Sequence, residues 1–447
     1  MQSRQPADLL IEARWVLPIA PRNLALEHHA VAVTQGRIAA VGPAAVLRAQ
    51  FDAREHVVRP EHALLPGLVN ALARPANVLL GGAPPAESAS RIADSARDPG
   101  REAPSADLVR DATRIALGQL LRAGITCFAS VGPHPREIAR QAAAARMRAA
   151  VGLPVADRPD GRAETAGTQL AEAESLWDEY RSSPWASLYF APEALPHLTD
   201  ATLSRVRTIA DELDARIAVP VRAADAACAT ERPLKRLDRL GLLRPGFVAL
   251  DLAHSDAEDL ELAARTGIAA VACPQADLLR GRGVALLREL NARGVSLALG
   301  SGELDGALDL LAEARTAALI GATPAPAPAL TAATVLRLAT LGGAAVLGLA
   351  GEIGSIEPGK AADLITLDLG ALSCQSGVQP VHSVVFSATR EHVRDVWLSG
   401  SAALAHGRLL AFDVEELEAL RERWREQLLP PWRGAPVPGR APLESRA

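Results

Sequence analysis

Aromatic residues are scarce in this chain: its 447 residues include six Trp, six Phe and two Tyr. Hydrophobic residues still make up 49%, so a large core is available and must be built mostly from Ala, Leu and Val. Cysteine is rare too. Cys127, Cys228, Cys273 and Cys374 lie far apart without a CxxC pair, and read as reduced, mostly buried thiols of a cytoplasmic protein. No apolar run reaches the roughly 18 residues a membrane helix needs, so no membrane partner is expected. Met1–Asp8 has no basic segment leading into an apolar stretch, so no secretory signal is expected. The net charge is −5 with both signs mixed, which leaves no electrostatic footprint for nucleic acid.

The ten histidines (His28, His29, His56, His62, His134, His197, His254, His382, His392, His406) form no His-any-His pair and no HExxH helix. No Walker loop or Rossmann glycine pattern stands in a strand–helix context. Ser301 is flanked by Gly300 and Gly302 but lies outside any GxSxG phrase, so it does not read as a nucleophile. His134 follows Gly132-Pro133 and reads as a loop residue.

What is present is alternation. Strand-like runs at 125–129, 188–191, 217–221, 247–252, 268–272 and 295–300 are followed by helical stretches near 135–150, 201–213, 231–241, 256–265, 283–293 and 306–320. Strands alternating with helices imply a parallel sheet, and about eight such units in some 290 residues suggest a (β/α)8 TIM barrel. Both ends of the chain change style. Val31–Thr34, Gln35-Gly36 and Arg37–Val41 predict a hairpin, and residues 354–410 repeat short strands with turns. The expected organisation is a small β-sandwich from 1–60 plus 355–412, a barrel over 61–354, and a helix with a Pro-rich tail over 413–447. Residues 82–106 lack aromatics and read as a surface loop or weak helix.

Several phrases together carry a family resemblance. They are Leu-Leu-Pro-Gly-Leu-Val-Asn-Ala (64–71), Ala-Gly-Ile-Thr-Cys-Phe (123–128), Arg-Leu-Gly-Leu-Leu (239–243), Cys-Pro-Gln (273–275), Ala-Leu-Gly (298–300), Arg-Thr-Ala-Ala-Leu (315–319) and Ile-Gly-Ser-Ile-Glu-Pro-Gly-Lys-Ala-Ala-Asp-Leu (353–364), with Arg394-Asp-Val-Trp397. Over residues 8–412 the chain resembles the metal-dependent amidohydrolase superfamily, in the branch of methylthioadenosine and adenosylhomocysteine deaminases, guanine deaminases and triazine hydrolases. That resemblance implies a metal held by His and Asp at the barrel mouth, a Glu that shuttles protons, and hydrolysis of non-peptide C–N bonds. Such a metal lowers the pKa of its water from 15.7 to about 7.

The positions that should carry this chemistry hold other residues. The first His-any-His pair is Leu72 and Arg74. The next metal His is Pro220, and the shuttling Glu is Ala223. A further His is Asp251, and the His of the Gly-Pro-His-Ala-Pro-Tyr phrase is Glu193. Gly302 stands at the metal Asp, with Glu303 as a displaced equivalent. His197 and His254 follow former functional positions by three or four residues and read as loop residues. Zinc favours four N, S or O donors, so neither a metal nor any other cofactor is expected.

The mouth therefore has two readings. In one, Asp251 pairs with Arg74 or Arg222, standing where metal stood, or the two arginines hold an anionic ligand. In the other, the charges are simply solvated. The expected function is that of a catalytically inactive amidohydrolase-fold protein of the deaminase lineage. It would bind a small or anionic ligand at the mouth, or act as a subunit, since the resemblance implies a homodimer or a heterodimer with an active relative. The alternative is a hydrolase of C–N bonds in a purine-like or triazine-like ring, with Asp251 or Glu193 as base and Arg74 or Arg222 holding the oxyanion.

Overall fold

The computed structural model describes residues 4–21, 24–80, 104–157, 166–193, 195–221, 231–252, 255–279, 286–302, 308–323, 327–374 and 379–428. The N-terminal segment supplies β1 (Gln5–Val16), β2 (Leu26–Thr34), β3 (Arg37–Pro43) and β4 (Phe51–Pro66). β2 and β3 form the expected hairpin, with Gln35 and Gly36 at φ 51° and 73°. Two successive left-handed residues match the twist of the flanking strands.

The barrel follows at once, because only Gly67 separates β4 from β5 (Leu68–Ala73). Next come β6 (Ile125–Ser130), β7 (Arg148–Val155), β8 (Ala186–Pro192), β9 (Arg216–Pro220), β10 (Phe247–Leu250), β11 (Ala269–Ala272) and β12 (Ser296–Leu299), each parallel to its neighbours. The Gly302 N–H donates to the Leu72 carbonyl at 2.9 Å, joining the end of β12 to β5.

The chain then returns as β13 (Leu364–Asp368), β14 (Val393–Leu398), β15 (Ser401–Ala405) and β16 (Arg408–Leu409). These extend the N-terminal strands into one eight-stranded sheet ordered β16-β15-β14-β13-β4-β1-β2-β3. β4 is the seam, pairing parallel with β1 and antiparallel with β13. The expected barrel is thus present, and the two ends of the chain, expected to form a small β-sandwich, do come together as a second sheet.

Buried charge locks these parts together. Asp395 in β14 accepts from Arg59 Nε at 2.7 Å, Arg59 Nη2 at 2.8 Å and the Thr366 hydroxyl at 2.6 Å. Burial alone would raise its pKa; the bonds from Arg59 and Thr366 outweigh that and hold it below the usual carboxylate range. Asp363 ties the sheet to the barrel, pairing with Arg148 of β7 and accepting from the Ser399 N–H at 2.7 Å. Both acids belong to the C-terminal phrases of the resemblance.

The structure corrects the helix expected near 135–150. It stops at Ala144, Arg146 turns the chain at φ 52°, and β7 begins at Arg148. The Ala run favours helix locally, but pairing with β6 and β8 claims Arg148 onward. A second helix, Ala166–Tyr180, was not anticipated. Residues 81–103 and 429–447, which hold most of the predicted loop and the whole Pro-rich tail, lie outside the described residues.

The barrel interior is built from small side chains. Ala71, Ala129, Ala150, Ala191, Ala218 and Ala298 face one another there, with Tyr189, Val248, Leu250 and Val271 among the larger groups. This fold ordinarily fills that space with bulky branched residues. Among the described residues, no helix is long and apolar enough to cross a membrane.

Candidate functional site

The C-terminal ends of the barrel strands meet around a cavity of about 40 Å³, room for about one water molecule. Its wall includes Leu72, Arg74, Pro220, Asp251 and Gly302, so the structure brings five of the positions singled out in the sequence to one place. Glu193 does not join them. It lies just past β8, where its N–H donates to the Val155 carbonyl at 2.9 Å. Arg222, Ala223, Glu303, His254 and the side chain of His197 lie outside the described residues.

The scaffold of the mouth is held by a residue the sequence reading passed over. Asn70 is fully buried. Its Oδ1 accepts from the backbone N–H of Ser301 at 3.0 Å and of Leu72 at 3.3 Å, while its Nδ2 donates to the Ser301 hydroxyl at 2.8 Å. This clip fixes β5 and the turn after β12 side by side, which is where ligating side chains would project. Ser301 is therefore a structural partner. The available signal was a polar residue inside an otherwise apolar strand phrase.

Gly302 has no room to carry a ligand. Its φ is +61°, and a Cβ placed there would lie 2.8 Å from the Cys273 Cβ and 2.9 Å from its Sγ. The position that holds the metal Asp in the resemblance is both left-handed and blocked. Asp251 also adopts positive φ, at 66°, a conformation that Asp tolerates better than most residues. Arg74 and Asp251 each carry further interactions. The Arg74 charge is felt inside the barrel at Tyr189, whose hydroxyl donates to the Ser130 carbonyl at 2.9 Å. Burial pushes the Tyr189 pKa up, and Arg74 opposes that rise.

Behind the mouth, the buried Glu313 accepts from the Gln275 N–H at 2.9 Å, anchoring the helix Pro274–Leu279 that supplies Ala276 and Asp277 to the wall. Burial pushes the Glu313 pKa up to about 8, with the acids Asp277 and Asp309 adding to it. At neutral pH this carboxyl is mostly protonated.

Among the described residues, the donors at the mouth do not fit a divalent metal. Leu72 and Gly302 offer no lone pair, Pro220 offers none from its side chain, and Arg74 is a permanent cation that opposes a second one. Asp251, Cys273 and Asp277 do line the cavity. Yet among the described residues no three His, Cys, Asp or Glu side chains are gathered closely enough to hold a metal.

A model of the Amidohydrolase family matches residues 64–403. This chain belongs to the amidohydrolase family. A shorter match, to a bacterial imidazolonepropionase-like composite domain, covers residues 30–53 in the second sheet. Among family members, the 5-methylthioadenosine/S-adenosylhomocysteine deaminase of Teredinibacter turnerae is 30% identical over 441 residues, covering 96% of this chain and 99% of that protein. The structure of an adenosine deaminase from Xanthomonas campestris, with bound zinc, superposes with a TM-score of 0.89 at 36% identity, covering 95% of this chain and 99% of the other. Atrazine chlorohydrolase from Arthrobacter aurescens shares the amidohydrolase fold at a TM-score of 0.83 and 20% identity, over 93% of this chain and all of the other. This amidohydrolase therefore shares the family frame over nearly its whole length.

Proposed function

We propose that this chain is a catalytically silent member of the deaminase lineage. One observation carries the reading: the strand ends that converge on the mouth present an alkyl group, a guanidinium, a pyrrolidine and a blocked glycine around a one-water cavity. In this reading Arg74 supplies a fixed positive charge where the family uses a metal. A metal-free hydrolase built on Asp251 would forgo several kcal/mol of transition-state stabilisation that a Lewis acid provides. The remaining role is that of a subunit, as a homodimer or beside an active relative.

The test is direct. Protein purified from zinc-supplemented medium is analysed for bound metal, then assayed on methylthioadenosine and adenosylhomocysteine with zinc, iron or manganese added. The expected result is substoichiometric metal and no turnover above the buffer rate. One tightly bound metal per chain together with deamination would refute the proposal.

A further inference from the structure

The opposite end of the barrel is open. A cavity of about 510 Å³ extends from the N-terminal ends of the strands into the barrel interior, a volume typical of small-molecule sites. Its floor is the alanine layer, with Ala71, Ala129, Ala150 and Ala218 all on its wall. Trp177 and Tyr180 stand beside it at the end of the helix Ala166–Tyr180. The chain has two tyrosines, and both line this space. Ser187 is exposed although it sits within a barrel strand, as expected if the interior is open beside it.

Two cations line this cavity, Arg181 and Arg216, beside the acid Asp214; Arg181 already pairs with Asp178 at 3.9 Å. Arg216 begins β9 and is half-buried. Among the described residues it forms no ion pair, and the exposed Asp214 acts on it only through space. Its guanidinium fits because Gly348, at φ +79°, has no side chain; a Cβ there would sit 2.6 Å from Arg216 Nε. Burial lowers the Arg216 pKa from its ordinary value, so its charged form is short of solvation. A planar guanidinium in that state matches a carboxylate through two parallel hydrogen bonds.

We propose that this cavity binds a small organic anion with a flat apolar body, an aromatic carboxylate, entering from the N-terminal face of the barrel. The carboxylate meets Arg216, and the ring lies between the Trp177–Tyr180 wall and the alanine floor. The inference is independent of whether the mouth is silent.

Calorimetric titration with 2-naphthoate, and with the neutral 2-naphthamide, tests it. We expect saturable one-to-one binding of 2-naphthoate, at least tenfold tighter than the amide. Arg216→Gln should erase that preference. Ala218→Leu, which fills the floor, and Ser187→Leu, which narrows the entrance at an exposed site, should each weaken binding at least tenfold; the second stands in if the first misfolds. Arg74→Gln, at the far mouth, should weaken binding far less than Arg216→Gln, since its charge reaches the cavity only through space at Tyr189. The proposal is overturned by an absence of saturable 2-naphthoate binding. It is equally overturned if Arg216→Gln retains the preference for the anion, or if Arg74→Gln abolishes binding while Arg216→Gln does not.

Discussion

The two ends of this barrel are built on opposite terms. The C-terminal mouth is polar behind its walls: Asn70, Ser301, Asp277 and Glu313 are all buried there, and the cavity lined by its described residues is about 40 Å³. The N-terminal end is roomy and lined by alanine, with about 510 Å³ and a cation that has no ion-pair partner among the described residues. Backbone position is the same kind of frame at both ends, so the contrast comes from side-chain volume. The frame at the mouth is held by hydrogen bonds that run through Asn70 and the backbone.

Three experiments press on this contrast. The largest effect is expected behind the mouth. Glu313 has a folded pKa of about 8 against an ordinary 4.5, so the native state keeps a proton that the unfolded chain has already lost. Stability should therefore fall as pH rises from about 4.5 to 8, by a few kcal/mol at 1.36 kcal/mol per unit of pKa difference. Glu313→Gln should match the parent below that window and exceed it above. Urea melts of both proteins across the window check the sign, and parallel curves would show that the carboxyl titrates normally.

Next is Gly302→Asp. A left-handed backbone with a side chain, plus overlap with Cys273, should together cost about 3 kcal/mol. Cys273→Gly in the same chain should recover part of the loss. If Gly302→Asp melts like the parent, the mouth is not blocked.

The smallest effect separates the two ends by volume. Ala276→Leu at the mouth should cost about 2 kcal/mol, since overpacking a closed space forces its neighbours to move. Ala218→Leu at the open end should change stability by less than about 1 kcal/mol, because the added methylenes enter existing space. Equal losses at the two positions would erase the distinction.

Much of this was legible in short phrases. Leu64–Ala71 marked the first barrel strand, and the phrase 353–364 marked the return to the second sheet, though the role of its Asp363 as a buried junction acid came only with the structure. Leu72, Arg74, Pro220, Asp251 and Gly302 were read as a single locus and do line one cavity. Glu193 stands just past the C-terminal end of β8, beside that end of the barrel but not on the wall of the cavity. β7 was hidden because Ala-rich segments favour helix until tertiary pairing decides otherwise. The open end was invisible for a related reason. A single alanine looks like ordinary core filling; the gap exists only as the sum of small residues from several strands, and that sum depends on register.

Leu250 touches both spaces, the closed one and the open one. A few side-chain exchanges on either side of such a bulkhead are enough to change which end of a barrel is accessible, with no rewiring of the strands. One barrel can in this way hold two separate rooms, each furnished on its own while every wall of the house stays standing.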